Sequence, residues 1–508
     1  MYLNEPTRYT SLSLKGVFAL VGGVVFWSLM CAIVVFMVFD RPGALRTTGF
    51  AAGITLWLVG VWILLRARTR RAHLFEPAIT GGLMLALLFG IRPLAMIFSG
   101  DTEYYRWIYI GDVFPEAVLL GAVATLVFIA SYEIGVRHYV DRWGRINAVP
   151  GCEPSQNNWQ LLYFYTAALF STSVALFLVQ LHFYGGISEA LPKLFAGQHD
   201  QLTESAVVRS AYLSLAPILS ACGAALLIIG KKGYFGKLRT ILFVSLLIGF
   251  PLIVFFVAGE RRFMIPSLGI PVVAYYLIRR RQVPARLVFV VAPVALVIAM
   301  SVPYLRNEQG RQEVGGITGF PAFLIEHPQK PAKLLLLRSE TEMVPVLATE
   351  IRTLKEQGNY YYGAATFGDL LLAPIPHSIF PDKPETARNR MLIRIFGSPC
   401  KGRSGGICPD FSAVGTFYQD GGWLGVLLGM SLIGWISGRL WRAQFSALDR
   451  SMVTGIVACW TVLLPIVIRA GFMPGLQWIL YFLVPILGGL LLFRLPRRMP
   501  MVSDSAGE

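Results

Sequence analysis

The stretch 238-LRTILFVSLLIGFPLIVFFVAGERRFMIPSLGIPVVAYYLIRR-280 decides the fold. It holds two apolar runs, 238–258 and 263–278, parted only by 259-GERR-262. Each run is about the length a helix needs to cross the hydrocarbon core of a bilayer. Gly259 can supply the tight backbone geometry of so short a turn. Pro266 and Pro271 predict a kink in the second run. The pair therefore reads as two membrane spans joined by a hairpin turn that carries Arg261 and Arg262.

The same pattern recurs along the whole chain. Of its 508 residues 55% are apolar and only 15% are charged, against roughly 25% charged in a soluble protein. The mean hydropathy is +0.59. Twelve spans are predicted, at 17–39, 48–65, 75–98, 115–134, 159–184, 209–230, 238–258, 263–278, 286–305, 422–441, 452–469 and 474–494. The run 17–39 is too long for the apolar part of a signal peptide and lacks a clear cleavage site, so it is expected to stay as the first span. The fold class is all-α and membrane-integral. It divides into helices one to nine over 1–305, a polar segment over 306–421, and helices ten to twelve with a tail over 422–508.

Alternate connections are basic. One set holds Arg66, Arg68, Arg70 and Arg71, then Arg137, Arg142 and Arg145, then Lys231, Lys232, Lys237 and Arg239, then Arg279, Arg280, Arg281 and Arg286, then Arg439, Arg442 and Arg450. Both termini fall in this set, and the positive-inside rule places them in the cytoplasm. The net charge of +16 is thereby assigned to loops that meet anionic lipid rather than to nucleic acid. Arg261 and Arg262 run against the bias and face outward. They either snorkel to outer headgroups or hold a phosphate group, for which the planar guanidinium fork is suited. Arg92 lies inside the third span near its outer end. A charge at that depth faces the protein interior or an aqueous cavity, so Arg92 either contacts substrate or forms a buried ion pair.

The segment 306–421 lies outside on this reading and is not a low-complexity linker. Residues 333-KLLLLRSETEMVPVLATEIRTLKEQG-358 are helical in pattern, with Gly358 as a stop and Pro345 expected to kink or split the helix. Residues 386-TARNRMLIRIFG-397 are amphipathic, with Arg388, Arg390 and Arg394, which suits a helix lying on the membrane. Between them, 360-YYYGAATFGDLLLAPIPHSIFPDKP-384 is stiffened by Pro374, Pro376, Pro381 and Pro384. It carries His377, Asp382 and Lys383 on what reads as a rigid wall over the bilayer. Tyr360, Tyr361, Tyr362 and Tyr418 either stack on sugars or belong to an interfacial aromatic belt. Arg306 and Arg311 are anion contacts or solvated charges. Cys400 and Cys408 bracket a seven-residue loop in an oxidising compartment and are expected to form a disulfide. Cys31, Cys222 and Cys459 read as core residues.

Three of these runs, 338-RSETEM-343, 360-YYYGAATFGDLLLAPIPHSIFPDKP-384 and 415-GTFYQDGGWLGVLLGMSLIGWISG-438, together with the turn 259-GERRF-263, resemble bacterial oligosaccharide repeat-unit polymerases of the Wzy type. The resemblance is detailed over roughly 240–440; the first six spans match only as apolar helices. It implies a GT-C-like helical glycosyltransferase of the inner membrane, metal-independent, inverting and without a cofactor. Donor and acceptor would both be oligosaccharides on undecaprenyl diphosphate, joined en bloc at the outer leaflet with release of undecaprenyl diphosphate. A flippase and a chain-length regulator are the protein partners such a family implies. Arg261 and Arg262, then Arg338, would hold the diphosphate. Glu340, Glu342, Asp382 and His377 are the candidates for accepting the hydroxyl proton. Arg92, Arg306, Tyr362, Asp382, Lys383 and Tyr418 would line the substrate. The chain departs from the family pattern in placing His377 where an arginine is expected before Ser378. Two rivals stand beside this reading. One is an O-antigen-type ligase. The other is a twelve-span transporter or flippase, for which 141-DRWGR-145 is the only local signal.

Overall fold

A chain segment in hydrocarbon finds no water to bond its peptide groups, so it must satisfy them internally, and a helix does so. The computed structural model describes residues 14–38, 43–68, 73–105, 107–137, 158–183, 216–232, 238–257, 261–284, 316–327, 342–368, 384–397, 409–446 and 450–494, with a few isolated positions between them. Among these, eight stretches are long and apolar enough to cross a membrane, and three shorter apolar helices accompany them. The protein is an all-α, multi-pass membrane protein.

The helices are α1 (Leu14–Met37), α2 (Gly43–Arg68), α3 (Pro77–Ala86), α4 (Arg92–Ser99), α5 (Phe114–Arg137), α6 (Asn158–Phe183), α7 (Ile218–Gly230), α8 (Leu238–Val257), α9 (Arg261–Arg279) and α10 (Gly316–Glu326). They continue as α11 (Met343–Gln357), α12 (Ala387–Phe396), α13 (Ala413–Ser446), α14 (Arg450–Ala470) and α15 (Phe472–Arg494). Among the described residues one sheet is present, a two-stranded hairpin of β1 (Tyr104–Tyr105) and β2 (Ile108–Tyr109), with Tyr104 opposite Tyr109. Most span boundaries fall within a few residues of those read from the sequence where the residues are described; α13 is the exception, since it begins at Ala413 and runs to Ser446 where a span of 422–441 was expected. The ninth span, 286–305, lies outside them apart from Val297.

Polar residues inside the helices are handled locally. The hydroxyls of Thr55, Thr125 and Thr166 each donate to the carbonyl four residues back, at 3.0, 2.8 and 2.7 Å, which spares them a partner elsewhere. Cys31, Cys222 and Cys459 are buried as free thiols, as expected of core residues. Large apolar side chains such as Phe36, Phe164 and Ile253 remain exposed, which is the favourable state where the surrounding medium is lipid.

Chain contacts divide the protein into two compact units. One comprises Met1–Tyr132, Leu336–Trp435 and Ile468–Phe472; the other comprises Glu133–Leu335, Ile436–Val467 and Met473–Glu508. In the first, α1 packs on α2, and α2 packs on the third span. In the second, α7 packs on α6, α8 and α9. There Phe263, at the start of α9, stacks on Phe255 and Trp478 with ring centroids 5.4 and 4.9 Å away.

Two interruptions of helical geometry differ from the sequence expectation. The third span is not one helix: residues Leu87–Ile91 form a π-helical turn between α3 and α4. Pro93 is the cause. It has no N–H to give, and its ring crowds the carbonyl four residues earlier, so the chain widens by a residue before it. The second interruption lies in α13, which breaks at Gly421 and Gly422 into two helical pieces. Gly422 has φ +59° and ψ −140°, a region closed to side chains. A Cβ there would also approach the Tyr360 hydroxyl at 3.1 Å. Pro345, by contrast, does not split its helix, because α11 begins only at Met343. The proline therefore sits in the first turn, where its missing N–H has no partner to lose.

The break at Gly422 predicts that Gly422→Ala lowers stability by roughly 1–3 kcal/mol. Thermal melting of the detergent-solubilised protein would show it, and an unchanged melting temperature would mean that the two helical pieces are not held at this angle by Gly422.

Candidate functional site

The residues that carry chemistry in the first unit lie on α4, the hairpin, α11, the stretch 360–368, α12 and the start of α13. These elements pack on one another: α11 meets β1, the π turn of the third span, and α12, while α12 also meets the second π turn, Ala364–Gly368. Arg92 opens α4 immediately after the first π turn and is only 3% exposed. Its charge lies in the field of Glu342, Asp101 and Tyr105. Glu342 occupies the N-cap position of α11 without capping it. Its carboxylate instead accepts a hydrogen bond from the Tyr105 hydroxyl at 2.8 Å. Arg92 is thus a buried cation in the field of a carboxylate.

Arginines also gather around α12. Thr386 caps this helix by accepting from the Asn389 N–H at 3.3 Å, and Gly397 ends it in the left-handed region. Its buried residues Ala387, Met391 and Leu392 face protein, so its apolar side is covered by α11 and the second π turn rather than offered to lipid. Arg388 reaches Asp410 at 2.7 Å, and Arg469, in the last turn of α14, approaches the other carboxylate oxygen at 3.7 Å. Arg390 and Arg394 lie over the ring of Tyr361, at 4.9 and 4.8 Å from its centroid. A face of an aromatic ring attracts a cation, and here one ring fixes two. Four arginines are thus positioned with one aspartate among them.

Asp420, the last residue before the break in α13, builds the adjoining loop. Its carboxylate accepts from the N–H groups of Gly363 and Ala365, both at 2.9 Å, and its carbonyl accepts from Tyr362 N–H at 3.0 Å. This holds Tyr362 at φ +48°, unusual for a side chain of that size, and leaves it 83% exposed. Tyr418 has the opposite fate: it is 1% exposed, with its ring against Tyr360 at 6.1 Å. Its ring is not presented to a ligand. Beyond the break, the Trp423 indole donates to Glu116 at 3.2 Å, and Glu116 also pairs with Lys355 of α11.

One carboxylate here gave no sequence signal. Glu350 on α11 is fully buried. Neither of its oxygens, nor the amide nitrogen of Gln419, completes a hydrogen bond of normal geometry among the described residues. Burial pushes its carboxyl well above the usual carboxylate range, and the neighbouring Gln419 side chain, which favours the charged form, offsets only part of this. Space for the group comes from Gly415: a Cβ there would stand 2.5 and 2.9 Å from the two carboxylate oxygens.

Arg261 and Arg262 are the first two residues of α9, in the second unit; Gly259 and Glu260 lie outside the described residues. Asp382 is exposed. Arg338, Glu340, His377, Arg306, Arg311 and Lys383 lie outside the described residues, as do Cys400 and Cys408. Of the residues expected to act together, the structure brings Arg92 and Glu342 into one electrostatic group and places Tyr362 on an exposed turn. Asp410, Asp420 and Arg469 were not singled out from the sequence. Arg469 had a signal, since it ends a span on the side that is otherwise poor in Lys and Arg. Among the described residues, no group of three or more His, Cys, Asp and Glu side chains is placed to hold a metal ion. Comparison with protein-family models, with curated proteins and with solved structures finds no match.

Two predictions follow from Glu350. Gly415→Ala should cost roughly 1–3 kcal/mol by overpacking. Glu350→Ala in the same chain should recover part of that loss, because the two side chains share the space. A double-mutant cycle of melting temperatures checks this, and strict additivity would refute it. The second concerns pH. With a raised folded value, Glu350 stays protonated in the fold where the unfolded chain has already ionised. Stability is therefore highest below the unfolded value of about 4.3 and falls as pH rises from there toward the folded value, by up to about 1.4 kcal/mol per unit. Glu350→Gln should remove that slope from the melting profile; a slope unchanged in the variant would assign it to another group.

Proposed function

We propose that the protein is a membrane glycosyltransferase that polymerises oligosaccharide repeat units carried on undecaprenyl diphosphate. On this reading it has twelve spans in a GT-C-like arrangement in the bacterial inner membrane, with both termini in the cytoplasm. The segment 306–421 then lies outside, at the outer leaflet. The observation that carries the reading is the set of arginines fixed at the ends of spans and on α12. Arg92 is buried with Glu342 in its field, and Arg388 and Arg469 are posed on Asp410, with Arg390 and Arg394 on Tyr361. Cations held this way suit a ligand that is both lipid-borne and multiply anionic. The sequence resemblance supports the same class of substrate.

The chemistry is a displacement at the anomeric carbon. The acceptor hydroxyl oxygen forms the new bond to that carbon and loses its proton. The bond from the carbon to the diphosphate oxygen breaks, and its electron pair leaves with the undecaprenyl diphosphate. Negative charge grows on the leaving oxygen, so cations already in place lower the barrier more than they stabilise the bound substrate. Each charge-assisted hydrogen bond contributes roughly 1.5–3 kcal/mol. Arg261 and Arg262 remain the first assignment for this role, with Arg338 next, and Arg92 is a fixed cation of the first unit. Glu342, bonded to Tyr105, is a candidate to take the hydroxyl proton, beside Glu340, Asp382 and His377. A diphosphate leaves readily, so the demand on that base is modest. The expected configuration change is inversion.

The test is a glycan length profile from cells lacking the protein. It would be complemented with wild type, Arg261→Ala, Arg262→Ala or Arg92→Ala, with membrane levels matched. Loss of long chains with single repeats left on their carrier, and roughly 10- to 1000-fold slower polymerisation with an arginine variant, is the expected outcome. Full-length glycan accumulating on the carrier would instead indicate a ligase, and an unchanged profile would remove the reading. Retention of configuration between donor and product would overturn the inverting mechanism.

A further inference from the structure

The hairpin between α4 and α5 presents rings that no part of the proposed mechanism uses. Tyr104 is 60% exposed, Trp107 61% and Tyr109 43%. Strand alternation explains the sidedness: Tyr104 and Tyr109 are cross-strand partners on one face, while Tyr105 on the other face is buried with its hydroxyl on Glu342. The rings of Tyr104 and Tyr109 meet edge to face, with centroids 5.4 Å apart and planes inclined at 65°, so the two together present one exposed aromatic surface. Trp107 at the turn meets Phe396 at 5.8 Å, the last residue of α12.

A six-residue hairpin of this kind is too short to hold its shape alone. Here it is tied down from outside. Arg352 of α11 donates to the Tyr109 carbonyl at 2.6 Å, lies 5.7 Å from the Tyr109 ring centroid and approaches Asp112 at 3.7 Å. The rings are therefore exposed and held in place, so binding to them costs little ordering.

Two surroundings suit exposed Tyr and Trp near a membrane: headgroups, and sugars. The charges around the hairpin separate them. Asp101, Glu103 and Asp112 flank the hairpin and are exposed. The sequence 101–112 holds these three carboxylates and one basic residue, Arg106, and with Arg352 and its second partner Glu356 counted the charge around the hairpin is still net negative. An anionic membrane surface repels such a group. Sugar hydroxyls, in contrast, donate hydrogen bonds to carboxylates, and the polarised C–H face of a sugar ring fits the negative face of an aromatic.

We infer that the hairpin Tyr104–Tyr109 is a sugar-stacking platform that holds a neutral or amino-sugar residue of the glycan against the exposed surface of Tyr104 and Tyr109, with Trp107 extending the contact. The inference deepens the proposed function and rests on it for the origin of the glycan, whereas the platform itself rests on ring exposure and charge. Its role is to hold the chain, not to react.

The experiment uses the full chain in nanodiscs of phosphatidylcholine and phosphatidylglycerol. The probe is the source strain's own oligosaccharide, released from its carrier lipid by mild acid and labelled at the reducing end. Fluorescence anisotropy should show binding by wild type, and binding by Tyr104→Ala/Tyr109→Ala about tenfold weaker, the scale of losing two ring contacts. Tyr104→Phe, which keeps the ring, should bind as wild type and guards against an effect of misfolding. Equal affinity in the double alanine variant overturns the platform, as does absence of binding by wild type. Quenching by brominated lipid that is present in wild type and lost in Trp107→Phe also overturns it, by placing the hairpin in the bilayer. The glycan length profile judges the parent reading separately: binding lost in the variant with a normal profile in cells lacking the protein would leave a glycan-binding surface on a protein that is not the polymerase.

Discussion

Hydrocarbon offers no hydrogen bonds, and this constraint governs where the chain can depart from a helix. Every departure in a span must be paid for by neighbouring protein groups or sit where the chain has left the lipid. The two departures in the first unit obey it. The π turn before Arg92 is backed by α2 and by α11. The break at Gly421 and Gly422 follows Asp420, whose carboxylate and carbonyl satisfy the N–H groups of the loop it meets. Both departures adjoin the residues that bear charge. The irregular backbone and the polar side chains are therefore parts of one arrangement.

That arrangement balances cations against few anions. Arg92 has Glu342 in its field, Arg388 and Arg469 share Asp410, and Arg390 and Arg394 share a ring instead of a carboxylate. Holding an arginine on a tyrosine face fixes its position without cancelling its charge. The attraction is that of a cation for the quadrupole of the ring, about 0.5–2 kcal/mol, weaker than a buried ion pair would be. The buried acid Glu350 stands apart from these groups. It is accommodated by the absence of a side chain at Gly415 and by remaining protonated.

The membrane class and most span boundaries were legible because apolar length is a strong signal and bilayer thickness fixes what it means. The departures were less so. The third span was read as one regular helix although it contains Pro93, and a sequence does not say whether a proline kinks, breaks or widens a helix. Pro345 shows the same ambiguity from the other side: its effect vanished once the helix began two residues before it. Tyr360, Tyr361, Tyr362 and Tyr418 looked alike as residue types, but Tyr361 has two arginines at its ring, Tyr362 is exposed on a strained turn and Tyr418 is buried against Tyr360. Their fates depend on Asp420 and on α12, which are distant partners that no local window contains. Glu350 was invisible for the same reason, since only the packing of α11 on α13 puts a carboxyl against a glycine.

The widened turn at Leu87–Ile91 has a consequence for the geometry of the whole third span. A helix advances about 100° per residue, so one additional residue in a single turn shifts the angular phase of everything after it by that amount. The line of side chains that packs against α2 early in the span therefore does not continue straight into the later half. Arg92 points where it does because of this phase step. In a chain one residue shorter between Leu87 and Ile91, the same guanidinium would be carried about a quarter turn around the axis, away from Glu342, without any change in its neighbours along the sequence.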